Sequence, residues 1–185
     1  MKKYLQEYKS FLLFLAKFFL AYLVLVISYE IYLSNFDETK NEVDGFTKLV
    51  ANQSSDVLSI FNSYSFTKPN FSEASVKLFY NNMWVARIIE GCNALSVIIL
   101  FVSFVIAFTG KFKQTVLFSL FGIVIIHVFN ILRIVLLSMA IFHYPKYREI
   151  LHGVIFPLFI YGIVFLLWII WVNKYSFYAS KNNKT

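Results

Sequence analysis

Cysteine occurs once in this chain, and proline and histidine three times each. A single thiol excludes an intramolecular disulfide and a cysteine-based zinc site, so Cys92 is either an inert packing residue or a reactive group. No glycine-rich phosphate loop and no metal-ligand spacing is present, so no cofactor and no metal is expected. Acids are scarce as well, with ten Asp and Glu against seventeen Lys and Arg and a formal charge of +7. Charged residues make up 15% of the chain and hydrophobic ones 59%, with a mean hydropathy of +0.67. No soluble core of this length holds so much apolar surface. The chain therefore reads as an integral membrane protein, and its positive charge as membrane topology rather than affinity for nucleic acid.

Crossing a hydrocarbon core ~30 Å thick takes about 20 helical residues. Four segments qualify, at roughly 11–33, 92–109, 116–140 and 151–172. The expected fold is an all-α polytopic membrane protein, a single domain over 1–185. Lys2, Lys3 and Lys9 precede the first segment, which is too long for a signal-peptide core and lacks a small-x-small cleavage site. An uncleaved signal anchor is expected. Lys111 and Lys113 follow the second span, and Lys174, Lys181 and Lys184 the fourth. Positive-inside bias puts these regions and both termini in the cytoplasm, against the counter-signal of Lys146 and Arg148.

The segment 34–91 then lies outside. Val43, Phe46, Leu49, Val50, Val57, Ile60 and Phe61 recur at helical spacing, which predicts an amphipathic helix on the outer membrane surface. Beyond it Val76, Leu78 and Tyr80 alternate, Asn81-Asn82 offers a turn, and the pattern resumes at Trp84, which predicts a short β-hairpin before the second span.

Three polar side chains reach one depth. At ~1.5 Å per residue, Cys92 stands about 26 Å above the cytoplasmic boundary, Arg133 about 27 Å and His152 about 30 Å. Taken singly, a Cys at a helix start is most often a small buried hydrophobe, and a His near a helix end an interfacial residue. Arg133 differs, because a guanidinium inside a span costs ~2.5–3.5 kcal/mol at the helix centre and is usually paired, snorkelling or functional. Asn130 shares its helical face and is placed to orient it, with Glu30 or Glu90 as candidate counter-ions. His127 is too deep by the same count, whereas His143 in the outer loop is a substitute for His152.

Together the three divide the work of acyl transfer. A thiol attacks a peptide carbonyl as thiolate, a form that a nearby cation favours. Histidine takes the proton and returns it to the leaving amine. Arginine is no base, but its fixed donors suit a developing oxyanion.

At these residues the chain resembles the exosortase/archaeosortase family of membrane proteins, in particular the short Bacteroidetes exosortase F type. "EGCNALSV" is similar to the family's A-C-[ST]-G-L segment, "NILRIVLL" to its N-x-x-R segment and "HGVIFPLFIYG" to the histidine opening a later span. The resemblance covers about the second half of the chain. It implies catalytic Cys92, Arg133 and His152, and beside these Asn130, Glu90 and Asn93 are expected as supporting residues from their positions in the sequence. Asn93-Ala94 departs from the hydroxyl residue and glycine that follow the family's cysteine. The resemblance further implies a bacterial inner-membrane cysteine protease/transpeptidase with its site at the periplasmic face. Its partners would be the lipid bilayer and exported proteins bearing a C-terminal sorting signal, a transmembrane helix and a basic tail.

The competing class is a non-catalytic membrane assembly factor or scaffold, in which Cys92, Arg133 and His152 only pack and pair. A small anion transporter ranks third, since such a fold calls for paired breaks in corresponding spans and only Pro157 and scattered glycines are available.

Overall fold

The computed structural model describes residues 8–61, 64–108 and 110–176, so Lys2, Lys3, Thr109, Lys181 and Lys184 lie outside the described residues. Helix α1 runs Lys9–Leu33 and buries none of its residues. Phe19, Leu20, Leu23 and Ile31 all face outward, a surface that only a lipid environment satisfies. One side of α1 leans on helix α3 (Leu95–Ala107), where the ring of Phe14 sits 4.5 Å from Phe108 and 5.9 Å from Phe104.

Between these helices in sequence lies a unit that carries a helix and a small sheet. Asp44 opens helix α2 (Gly45–Ile60) by accepting the Thr47 N–H at 2.9 Å, which satisfies one of the donors left free at a helix start. The buried face of α2 is Thr47, Val50, Ala51, Ser54, Ser55 and Leu58. Of the expected apolar stripe, Val43 and Val50 lie in a core and Phe46 and Val57 pack against it, while Leu49, Ile60 and Phe61 are exposed. Small residues on the buried face allow α2 to pack against a sheet, and Ser54 returns its hydroxyl to the Val50 carbonyl at 2.8 Å.

That sheet holds the expected hairpin and one strand more. Strands β1 (Ser65–Asn70), β2 (Ser75–Tyr80) and β3 (Met83–Ile88) pair antiparallel in that order. Tyr80 faces Met83 across the turn, where Asn81 and Asn82 take φ of 49° and 63°. Two consecutive left-handed residues fit the twist of a two-residue hairpin, and Asn tolerates that region. Val76, Leu78 and Tyr80 turn inward and join Val50 and Leu58 of α2 in one core, together with Ile134 and Val135 of helix α4 (Phe112–His143).

A second core lies among the helices, where Phe101 and Val105 of α3 meet Phe118 and Ile126 of α4 and Val164, Leu167 and Trp171 of the last helical run. That run, Pro145–Tyr175, contains helix α5 (Phe156–Ile170) between two π-helical turns, Leu151–Ile155 and Trp171–Tyr175. The first π turn has a local cause. Pro157 has no N–H to give the carbonyl four residues back, and the Phe156 N–H reaches Leu151 O, five residues away. Lys9–Leu33, Phe112–His143 and Pro145–Tyr175 are long and apolar enough to cross a membrane, while Leu95–Ala107 is shorter. At 13 residues α3 rises only about 20 Å.

Candidate active site

Cys92 sits where the sheet hands the chain to the apolar helices. Strand β3 ends at Ile88, and a 3₁₀ turn, Glu90–Cys92, closes with the Cys92 N–H on Ile89 O at 2.9 Å. Asn93 follows, and Ala94 turns into α3 through a left-handed conformation with φ of 65°. Three side chains pin this turn. Asn130 of α4 donates its amide to the Cys92 carbonyl at 2.9 Å. Asn93, buried, donates to Thr47 Oγ1 at 3.0 Å and to the Tyr29 hydroxyl at 3.3 Å. The Tyr29 hydroxyl in turn donates to Glu90 Oε1, tying the turn to α1.

Asn93 Oδ1 also accepts the Leu95 N–H at 2.8 Å, an Asx turn that leads the chain into α3.

The structure brings Cys92, Arg133 and His152 to one cleft of about 160 Å³. Cys92 arrives from the 3₁₀ turn, Arg133 from the C-terminal half of α4 and His152 from the π turn, so three segments distant in sequence meet there. Cys92 and Arg133 are half-buried and His152 is exposed at the rim. Arg133 makes no hydrogen bond and no ion pair among the described residues, and its Nε is buried without a partner. Its donors are therefore free to meet a group that enters the cleft.

Two expectations need correction. Neither Glu90 nor Glu30 forms an ion pair with Arg133, because Glu90 is engaged by Tyr29 and Glu30 forms no ion pair among the described residues. Asn130 serves the Cys92 carbonyl and not the guanidinium three residues on. The other histidines are elsewhere. His127 Nε2 lies 2.9 Å from Gln53 Oε1, and His143 ends α4 with its ring against Phe142, outside the cleft lining.

Arg87 of β3 and Arg148 also line the cleft, and neither was expected there. Arg148 had counted only as a loop cation that opposed the topology. Arg87 belongs to the outward row of β3, and no sequence period tells which outward residue borders a cleft. No carboxylate lines the cleft, and Arg87 is answered from outside it by Glu73 at 2.7 Å. The Arg87 hydrogen bond holds the Glu73 carboxyl below the usual carboxylate range. A cationic cleft with one thiol, one imidazole and an unpaired guanidinium can stabilise negative charge that develops on a bound oxygen. Among the described residues no cluster of His, Cys, Asp and Glu could hold a metal ion.

Comparison with curated proteins and with solved structures finds no match. A family model does match, that of the transmembrane exosortases (Exosortase_EpsH), over residues 8–173. It spans the sheet unit, the cysteine turn and nearly all of the apolar helical segments, and the chain belongs to the transmembrane exosortase family.

Proposed function

We propose that the chain is a cysteine protease/transpeptidase that cleaves a C-terminal sorting signal of exported proteins at the outer face of the bacterial inner membrane. The observation that carries this reading is the meeting of Cys92, Arg133 and His152 in one cleft whose lining holds no carboxylate. Helix α3 makes a fourth crossing, and both termini and the Lys111 and Lys113 loop lie in the cytoplasm by the positive-inside rule. The cleft then opens at the periplasmic end, where a substrate's transmembrane helix gives way to the exported domain.

In the reaction His152 accepts the Cys92 proton as sulfur attacks the scissile carbonyl carbon. The carbonyl electron pair moves to oxygen, and the N–H groups of Arg133 hold the oxyanion. Collapse of the tetrahedral intermediate breaks the C–N bond, and His152 gives its proton to the leaving amine. A thioester at Cys92 remains. Water or another acceptor then attacks it and restores the thiol.

The test is quantitative mass spectrometry of membrane proteins from cells expressing wild type, Cys92→Ala, Arg133→Ala or His152→Ala. Exported proteins that retain an intact C-terminal transmembrane helix and basic tail are expected to accumulate in all three variants. Unchanged C-termini in Cys92→Ala, with the protein folded, would move the chain to the scaffold class.

A further inference from the structure

We propose that the free edge of β3 is the docking strand for substrate: an extended segment of the exported protein pairs with the backbone of Met83–Ile88 as a fourth strand and so lays its scissile carbonyl beside Cys92. This rests on the reading of Cys92 as nucleophile and adds how the peptide is held.

Strand β3 is paired on one side only, by β2. An antiparallel neighbour uses the N–H and C=O groups of alternate residues, and the remainder point the other way. Among the described residues, the only further hydrogen bond to the β3 backbone is the Trp84 indole N–H on Ala86 O at 2.9 Å. An open edge of this kind is a template for a new strand, which is why proteins commonly block edges with proline or cover them. The opposite edge, β1, carries Pro69 and packs against α2. No proline stands in β3.

What β3 borders is the cleft itself. Val85 to Ile89 and Cys92 line it together with Leu137 and Ile141 of α4, the helix that packs against β3. Only Ile89, Glu90 and Gly91 separate the strand from the thiol, so a peptide in register with β3 runs onto Cys92 after a short overhang. A Cβ built at Gly91 would meet no atom within 4 Å, so the turn is not packed on that side. The cleft is small, about 160 Å³, and takes the residues flanking the scissile bond while the rest of the segment follows the edge. Pairing through the backbone also suits the chemistry. A helical peptide keeps its carbonyls bonded internally, whereas an added strand leaves alternate carbonyls turned away from β3 and available to Arg133.

The test uses a fluorescent tetra-alanyl vinyl sulfone on the full-length protein in nanodiscs. The Cys92 sulfur adds to the β-carbon of the vinyl group, the π electrons pass to the α-carbon, and that carbon takes up a proton. Cys92 is the sole cysteine, so labelling has no thiol background. The parent probe is compared with two versions N-methylated at successive peptide nitrogens, with iodoacetamide as a control for intrinsic reactivity. N-methylation at one position is expected to slow labelling at least tenfold, and at the next less than twofold, because strand pairing uses alternate nitrogens. Equal rates for all three probes would overturn the proposal, as would equal slowing at both positions. So would labelling by iodoacetamide with none by any peptide. Failure of iodoacetamide itself would remove the nucleophile reading, and the proposal with it.

Discussion

Asn130 Nδ2 holds the carbonyl oxygen of Cys92 at 2.9 Å, a bond from the middle of a membrane helix to the turn that carries the only thiol. Asn130 is fully buried, and its loss removes the donor that meets the Cys92 carbonyl. Removing such a bond costs ~1 kcal/mol, and more where the partner is left unsatisfied. Asn130→Ala and Asn130→Asp, both lacking the amide donor, are expected to lower the unfolding temperature in detergent. A loosened turn should also separate two readouts: alkylation of Cys92 by a bulky maleimide rises, while cleavage of substrate falls at least tenfold. Parallel changes in both would mean that Asn130 supports the fold without positioning Cys92.

Ala94 holds φ of 65° with its side chain 4% exposed, a conformation that a Cβ makes unfavourable. The family pattern places glycine at this position, and the left-handed turn from Asn93 into α3 supplies the physical reason. Ala94→Gly is expected to stabilise the protein by about 1 kcal/mol, with the gain of backbone freedom in the unfolded chain reducing it somewhat. Thermal unfolding of the two proteins side by side decides this. A lower midpoint for the glycine variant would show that the Ala94 methyl contributes more by packing than it costs in backbone strain.

The parts of this fold that were legible in the sequence are those set by local rules. Asn81-Asn82 between alternating apolar runs could only be a tight turn, and three of the four expected spans followed from length and composition, whereas the second is a helix of only 13 residues. Strand β1 was not legible, because "SFTKPN" has no clean alternation and carries Pro69, which only an edge strand tolerates. The packed face of α2 was only partly legible, because Thr47, Ser54 and Ser55 are among its buried residues and a hydrophobic pattern discounts them. The height of Cys92, Arg133 and His152 could be counted along each helix. Their shared cleft, and the arrival of Arg87 and Arg148 in it, depend on how β3 and the π turn dock on α4, which no period in the sequence encodes.

Gly122 lets α3 and α4 meet. A Cβ built there would stand 2.2 Å from ring atoms of Phe101, which is itself fully buried and has nowhere to withdraw. Overpacking of this kind costs ~1–3 kcal/mol. Gly122→Ala is expected to lower stability by that amount, and Phe101→Leu in the same protein to restore part of it. Two additive losses in the double variant would show that the contact between the helices is not the source of the effect.

The last prediction concerns acid. Glu73 is paired with Arg87 at 2.7 Å and its carboxyl is held below the ordinary range, first by that hydrogen bond. A carboxyl whose folded pKa is depressed favours the folded state above its unfolded pKa of ~4.3, and the contribution disappears as pH falls through the lower folded value. Wild type is therefore expected to unfold at a higher temperature than Glu73→Gln at pH 7, with the gap closing below about pH 4. The pair is exposed, so the gap is small and shrinks in 1 M salt. The same variant frees Arg87 at the cleft. If the cationic lining attracts the developing oxyanion, alkylation of Cys92 by a negatively charged thiol reagent should speed up in Glu73→Gln, while a neutral reagent reacts at the wild-type rate. Equal acceleration of both reagents would instead mean that losing Glu73 loosens β3, and the electrostatic role of Arg87 would be withdrawn.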